Sequence, residues 1–184
     1  MGIALDIHDT LELVVRLEGI VPHPALPRRL VPLFRDLARP DTRDLPFEIE
    51  DLIWAIWTDH HDQQLSERMQ AAIAAIAGRK PDIALPLLDA LVADAPDWAE
   101  AWNKRATLHY ICDRDRESIA DIRETLQREP RHFGALAGFG QICLRNGDQA
   151  AAMLAFEAAL RINPHMAPVK AMLSDVTGER QRPN

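Results

Sequence analysis

Three prolines, Pro96, Pro130 and Pro164, stand 34 residues apart in the second half of this chain. Each follows a similar stretch: Ala90-Leu91-Val92-Ala93-Asp94-Ala95, Thr125-Leu126-Gln127-Arg128-Glu129 and Ala159-Leu160-Arg161-Ile162-Asn163. Proline has no amide to donate, and its ring clashes with the preceding turn, so each stretch reads as the end of a helix. A fixed period of this size means one supersecondary unit used again and again. A single unit cannot bury its apolar face alone, so neighbouring units must stack.

The residues between the prolines repeat in kind. The last unit places Leu136, Phe139, Gly140, Cys143, Ala152, Phe156 and Pro164 at matched offsets, with Gly147 in its turn. The middle unit places Trp102, Arg105, Ala106, His109, Ser118, Ile122 and Pro130 there. The first places Arg68, Ala71, Ala72, Ala75, Ala84, Leu88 and Pro96. Small residues at Ala72, Ala106 and Gly140, and again at Ala84, Ser118 and Ala152, let two helices approach closely. Bulky Leu88, Ile122 and Phe156 then fill the seam.

On these residues the chain resembles the tetratricopeptide repeat superfamily over residues 65 to 164. It is also similar to a group of small bacterial repeat proteins through Ile53-Trp54-Ala55-Ile56-Trp57, Trp102-Asn103-Lys104-Arg105-Ala106-Thr107-Leu108 and Pro130-Arg131-His132-Phe133-Gly134-Ala135-Leu136. The resemblance implies an all-α, right-handed solenoid of antiparallel helix pairs. Its expected units are 65–98, 99–132 and 133–166, with a capping helix over 167–177 and a polar, disordered tail over 178–184. Arg105 and His109 depart from the family pattern, which favours apolar or aromatic residues in their slots.

The N-terminal third is less regular. Residues 28–64 read as a degenerate helix pair. One helix carries Leu30, Val31, Leu33, Phe34 and Leu37; the other carries Ile49, Leu52, Ile53, Ile56 and Trp57. The pair is expected to act as a worn repeat covering the apolar end of the solenoid. Residues 1–27 form an N-terminal extension ending in a proline-rich linker. Within residues 1–20 the apolar residues alternate as in a hairpin, yet Leu11, Val14, Val15 and Glu18 after Asp9-Thr10 also fit a capped helix. The helix is preferred, because a lone hairpin is marginal and its neighbours are helical.

Composition narrows the function. A net charge of −7 lacks the basic footprint of a nucleic-acid binder. The longest apolar run, Ala71 to Ala77, is far short of the roughly 18–20 residues that span a bilayer. The acidic start, with Asp6, Asp9 and Glu12, does not read as a secretory signal. Two cysteines, Cys112 and Cys143, make neither a disulfide framework nor a zinc cluster. A cytoplasmic protein without cofactor is the expectation.

Few residues suggest chemistry. Asp59-His60-His61-Asp62 has metal-ligand types, but adjacent histidines diverge on a helix, so a polar helix end is the plainer reading. Metal binding through His60 and His61 is kept as an outside alternative. Gly134, Gly138 and Gly140 lie inside a helical pattern without the strand a phosphate loop needs. His109, Tyr110, Cys112 and Asp113 include nucleophile and base types without a demonstrable triad, and Cys143 sits in a core slot. Arg105 and Asp121, on facing helices of the middle unit, are expected to form a structural ion pair. The tryptophan pairs Trp54/Trp57 and Trp98/Trp102 read as core.

Stacked pairs curve, and their first helices line the inner face. Met69, Ile73 and Ile76 should lie there from the first unit. Glu100, Asn103, Thr107, Tyr110 and Ile111 should follow from the second, and Ala137, Gln141, Leu144 and Arg145 from the third. Such a surface, apolar at one end and polar at the other, suits an extended peptide. Some superfamily members grip a terminal carboxylate with Lys, Asn and Arg. Here Lys104 and Arg145 are the only cations close by, so that mode is rejected. The expected function is a non-catalytic interaction module for a peptide or protein segment. The alternative is a self-associating, structural solenoid, a homo-oligomer with an empty groove.

Overall fold

In a computed structural model, residues 2–39 and 46–178 are described. Among them the elements are ten α-helices and one 3-10 turn, with no strand. The N-terminal helices are α1 (Ile3–Arg16), α2 (Leu30–Leu37) and α3 (Pro46–Thr58). The repeat helices are α4 (Gln63–Ala77), α5 (Pro81–Asp94), α6 (Ala99–Ile111), α7 (Asp115–Arg128), α8 (Phe133–Arg145) and α9 (Gln149–Ile162), and α10 (Ala167–Thr177) closes the chain. The expected tail lies outside the described residues from 179 onward.

The repeats stack as their sequence requires. α4 packs on α5, α6 on α7 and α8 on α9, successive pairs touch through α5–α6 and α7–α8, and α10 rests on α9. The small residues do set the approach. A Cβ added to Gly140 would stand 2.4 Å from the Phe156 ring. Ala84 and Ala152 are fully buried. Ser118, also buried, donates its hydroxyl to the Ala106 carbonyl at 2.8 Å. The turn inside each pair repeats too. Arg79, Asp113 and Gly147, again 34 apart, all have positive φ, at 54°, 58° and 80°. Only the third uses the residue that adopts this conformation without strain.

α1 settles the choice at the N-terminus in favour of a helix. It begins at Ile3, well before the expected cap at Asp9-Thr10. Thr10 is instead a fully buried mid-helix residue whose hydroxyl bonds back to the Asp6 carbonyl at 2.7 Å. With Ile7, Val14 and Leu17 it forms the face that packs on α7 and α9, the second helices of the last two repeats.

The α2–α3 pair is helical as expected, but it does not cap the end of the stack. It lies across the starts of the first helices, over the junctions that join one repeat to the next. Trp54 seats against Gly134 of α8, where a Cβ would fall 2.6 Å from its ring, and Trp57 stacks on His132. Leu30, Phe34, Leu37, Ile49, Ile53, Ile56 and Trp57 close into one cluster with Phe133, against which Ile162 and Met166 pack.

Candidate functional site

The first helices α4, α6 and α8 present the inner face, and α3 runs along its lower margin. The row it meets has the period of the repeat. Trp98, His132 and Met166 are the N-cap residues of α6, α8 and α10, spaced 34 apart. The Trp98 indole donates to the Trp57 carbonyl at 2.7 Å. His132 stacks on Trp57, and Met166 joins the cluster beneath α2 and α3. At the far end Asn163 donates to Glu50 at 2.9 Å. Glu50 and Trp57 are seven residues apart, about 10 Å of helix, so α3 reaches from the third junction back to the first.

Under α3 lies a buried polar group. The His132 Nδ1 accepts the Ala135 amide at 3.0 Å, which leaves the proton on Nε2 to point at Glu100, 2.8 Å away. The Glu100 carboxylate is fully buried and also takes Lys104 at 2.8 Å and Asn103 at 3.2 Å. Burial alone would raise its pKa. Lys104 and His132 outweigh that and hold it below the usual range. The Lys104 ammonium stands 5.0 Å from the Trp54 ring centroid.

The residues placed on the inner face by spacing therefore divide. Met69 and Glu100 are fully buried, and Asn103 and Ala137 nearly so, which corrects their assignment to an open groove. Met69 packs with α5, and no exposed Met69-Ile73-Ile76 patch exists. Ile73, Ile76, Tyr110, Gln141 and Leu144 are half-buried, and Thr107, Ile111 and Arg145 are exposed. Arg145 is already engaged. It lies 4.1 Å over the Tyr110 ring, bonds Asp113 at 2.9 Å and contacts Asp115. Beside Ile111 a notch of about 510 Å³ is lined by Ile76, Leu108 and Cys112, with Arg79 and Lys80 on its rim.

Comparison with known proteins agrees with this geometry. The tetratricopeptide repeat model matches residues 69–111 and 116–167. A TPR repeat-containing protein of Rhizobium etli is 38% identical over 137 residues, which cover 74% of this chain and 67% of that protein. The chain belongs to the tetratricopeptide repeat family. Repeats of this family are generally protein–protein interaction modules.

Within that family pattern, the two departures of the middle repeat converge on one carboxylate, Asp121. Arg105 forms a two-pronged pair with Asp121, Nε and Nη2 each 2.8 Å from a carboxylate oxygen, and reaches Asp89 at 2.9 Å. His109 Nε2 stands 3.6 Å from the same Asp121. Burial lowers the His109 pKa, and Arg114 and Arg105 reinforce this against Asp121 and Glu117. Its Nδ1 is buried without a hydrogen-bond partner.

The remaining candidates hold no assembled chemistry. The His60 and His61 rings lie 4.1 Å apart, but His60 Nδ1 accepts the Asp62 amide and Asp62 caps α4. Among the described residues no three His, Cys, Asp or Glu side chains gather to hold a metal. Burial pushes the Cys143 thiol up to about 12, far from a nucleophile. No helix among the described residues is long and apolar enough to cross a membrane. What spacing alone missed is α3 as an occupant of the inner face. Its signal was present in the row Trp98, His132 and Met166 and in Gly134, a glycine that the seam of its own repeat does not require.

Proposed function

We propose that this tetratricopeptide repeat protein is a non-catalytic, cytoplasmic interaction scaffold. It takes a peptide or protein segment on the upper half of its inner face. The observation that carries this reading is the division of that face. α3 covers the lower margin, where Glu100 and His132 are already satisfied by their own neighbours. The upper half keeps Thr107 and Ile111 accessible, with Tyr110, Gln141 and Leu144 half-buried beside them. The Thr107 hydroxyl donates to the Asn103 carbonyl at 2.9 Å and can still accept from an extended backbone, Gln141 can donate and accept, and Ile111 with the adjoining notch takes an apolar side chain.

The test is capture of partners from native lysate on the wild type and on Thr107→Arg with Ile111→Asp. Both positions are exposed, so the variant is expected to keep its helix content. A partner held by the wild type and lost by the variant supports the reading. A partner held equally by both rejects the upper groove as its interface.

A further inference from the structure

The turns inside successive repeats can be compared position by position, 34 residues apart. At the α6–α7 turn the chain closes its own junction. Arg145 of α8 bonds Asp113 at 2.9 Å and Asp115 at 3.1 Å, and Asn146 donates to Asp115 at 2.8 Å. At the α4–α5 turn the same positions carry other chemistry. Arg79 and Pro81 stand where Asp113 and Asp115 do, and Ile111 and Cys112 of α6 stand where Arg145 and Asn146 do. Neither side offers an acid at these positions, so the junction is left open as the notch of about 510 Å³ beside Ile111. Ligand pockets span roughly 300–1,000 Å³, so it has room for an aliphatic side chain. Its charge has one sign. Arg79 and Lys80 are exposed on its rim, and neither has an ion-pair partner among the described residues. Other cations nearby are matched, Arg68 by Asp94 and Arg114 by Glu117. Asp82, close by in sequence, lines a second cleft with Pro86 and Arg114 and does not line this one.

We infer that the notch takes a short acidic segment of a partner protein. An aliphatic side chain of that segment fills the space against Ile76, Leu108 and Ile111, and aspartate or glutamate side chains on either side of it pair with Arg79 and Lys80. The inference rests on the groove reading above and supplies the chemistry of the partner. Against a net charge of −7, an acidic segment gains only where cations stand unpaired, as these two do. A basic segment meets like charge at the same rim. Exposed ion pairs contribute little each, so the aliphatic side chain supplies most of the affinity and the charges supply the choice of partner. The carboxylates belong to side chains, and a free chain terminus is not needed.

The experiment adds three end-blocked peptides to the full chain, Glu-Leu-Glu-Leu-Glu and its counterparts with Gln or Lys in place of Glu, at up to about 1 mM. The readout is the rate at which a neutral maleimide labels Cys112, which is half-buried on the notch wall, while Cys143 is fully buried. The acidic peptide is expected to protect Cys112, the Gln peptide to bind about tenfold more weakly and the Lys peptide more weakly still. Arg79→Glu with Lys80→Glu is expected to reverse that order. Arg114→Glu, which touches only the second cleft, is expected to leave it unchanged. Circular dichroism checks that these exposed substitutions keep wild-type helix content. No protection by the acidic peptide, or equal protection by all three, overturns the inference. So does an order that ignores Arg79 and Lys80 or follows Arg114. The groove reading fails on other grounds, if lysate partners survive Thr107→Arg with Ile111→Asp. It stands if those partners are lost while the three peptides are not told apart.

Discussion

His132 lies flat on Trp57, with ring centroids 4.0 Å apart and planes 9° from parallel. One imidazole thus joins three parts of the molecule. Its face holds α3, its Nδ1 caps α8, and its Nε2 donates to the Glu100 carboxylate. His132→Ala removes all three and opens a cavity beneath Trp57, so a loss of about 3–5 kcal/mol is expected from urea unfolding. His132→Phe keeps a ring on Trp57 while dropping both hydrogen bonds, at a cost of about 1–3 kcal/mol. Equal losses for the two variants would show that the stack contributes nothing.

Stability should fall with acid in two stages. His109 has a lowered pKa in the folded chain, so below about 6.5 the unfolded chain binds more protons and gains ground. Glu100, also lowered, contributes stability above its unfolded value that is lost as pH drops through its folded one. Urea midpoints between pH 7 and 5.5 should decline less in His109→Gln than in the wild type. The fall below about 4.5 should be shallower in Glu100→Gln. Parallel curves for each variant and the wild type would contradict the assignment.

The Arg105–Asp121 pair should specify packing more than it adds stability. Arg105→Met strands a carboxylate that is only 3% exposed, and is expected to cost about 3–5 kcal/mol. Adding Asp121→Leu removes the stranded charge, so the double variant should be more stable than the single one. A double variant that is weaker still would mean the pair is a net source of stability.

Two glycines of α8 should answer oppositely to alanine. Gly140→Ala drives a methyl into the Phe156 ring and should cost about 1–3 kcal/mol. Gly138 has only Ile122 Cδ1 near it, at 4.0 Å, so Gly138→Ala should gain about 0.5–1 kcal/mol from helix propensity. Thermal melts of the two variants decide the point.

The intra-repeat turns offer a matched set. Arg79→Gly relieves a left-handed residue and should stabilise by about 0.5–1 kcal/mol, while Gly147→Ala should cost a similar amount. A destabilised Arg79→Gly would mean that its side chain holds the turn.

The repeats were legible because their signals are local and periodic. Pro96, Pro130 and Pro164 fix the register, Gly140 opposite Phe156 fixes the closest approach, and Arg105 with Asp121 follows from the two helices of one repeat facing each other. Where α2 and α3 dock was not legible. Apolar spacing in Ile49, Ile53 and Trp57 says that a face is buried but not against what, and the seat lies 75 or more residues away at His132 and Phe133. The same gap misplaced Glu100 and Asn103, which are buried near a helix that comes from another part of the chain.

The path of the N-terminal segment bears on how fast this chain folds. In an ordinary solenoid each unit touches only its sequence neighbours, and contact order is low. Here α1 meets α9 across roughly 140 residues, and α3 meets the α9–α10 junction across more than 100. Closing loops of that length takes entropy before any contact is gained. The clasp around the last two repeats is therefore expected to close after their local helix pairs form, and to make the chain fold more slowly than a stack with neighbour contacts alone.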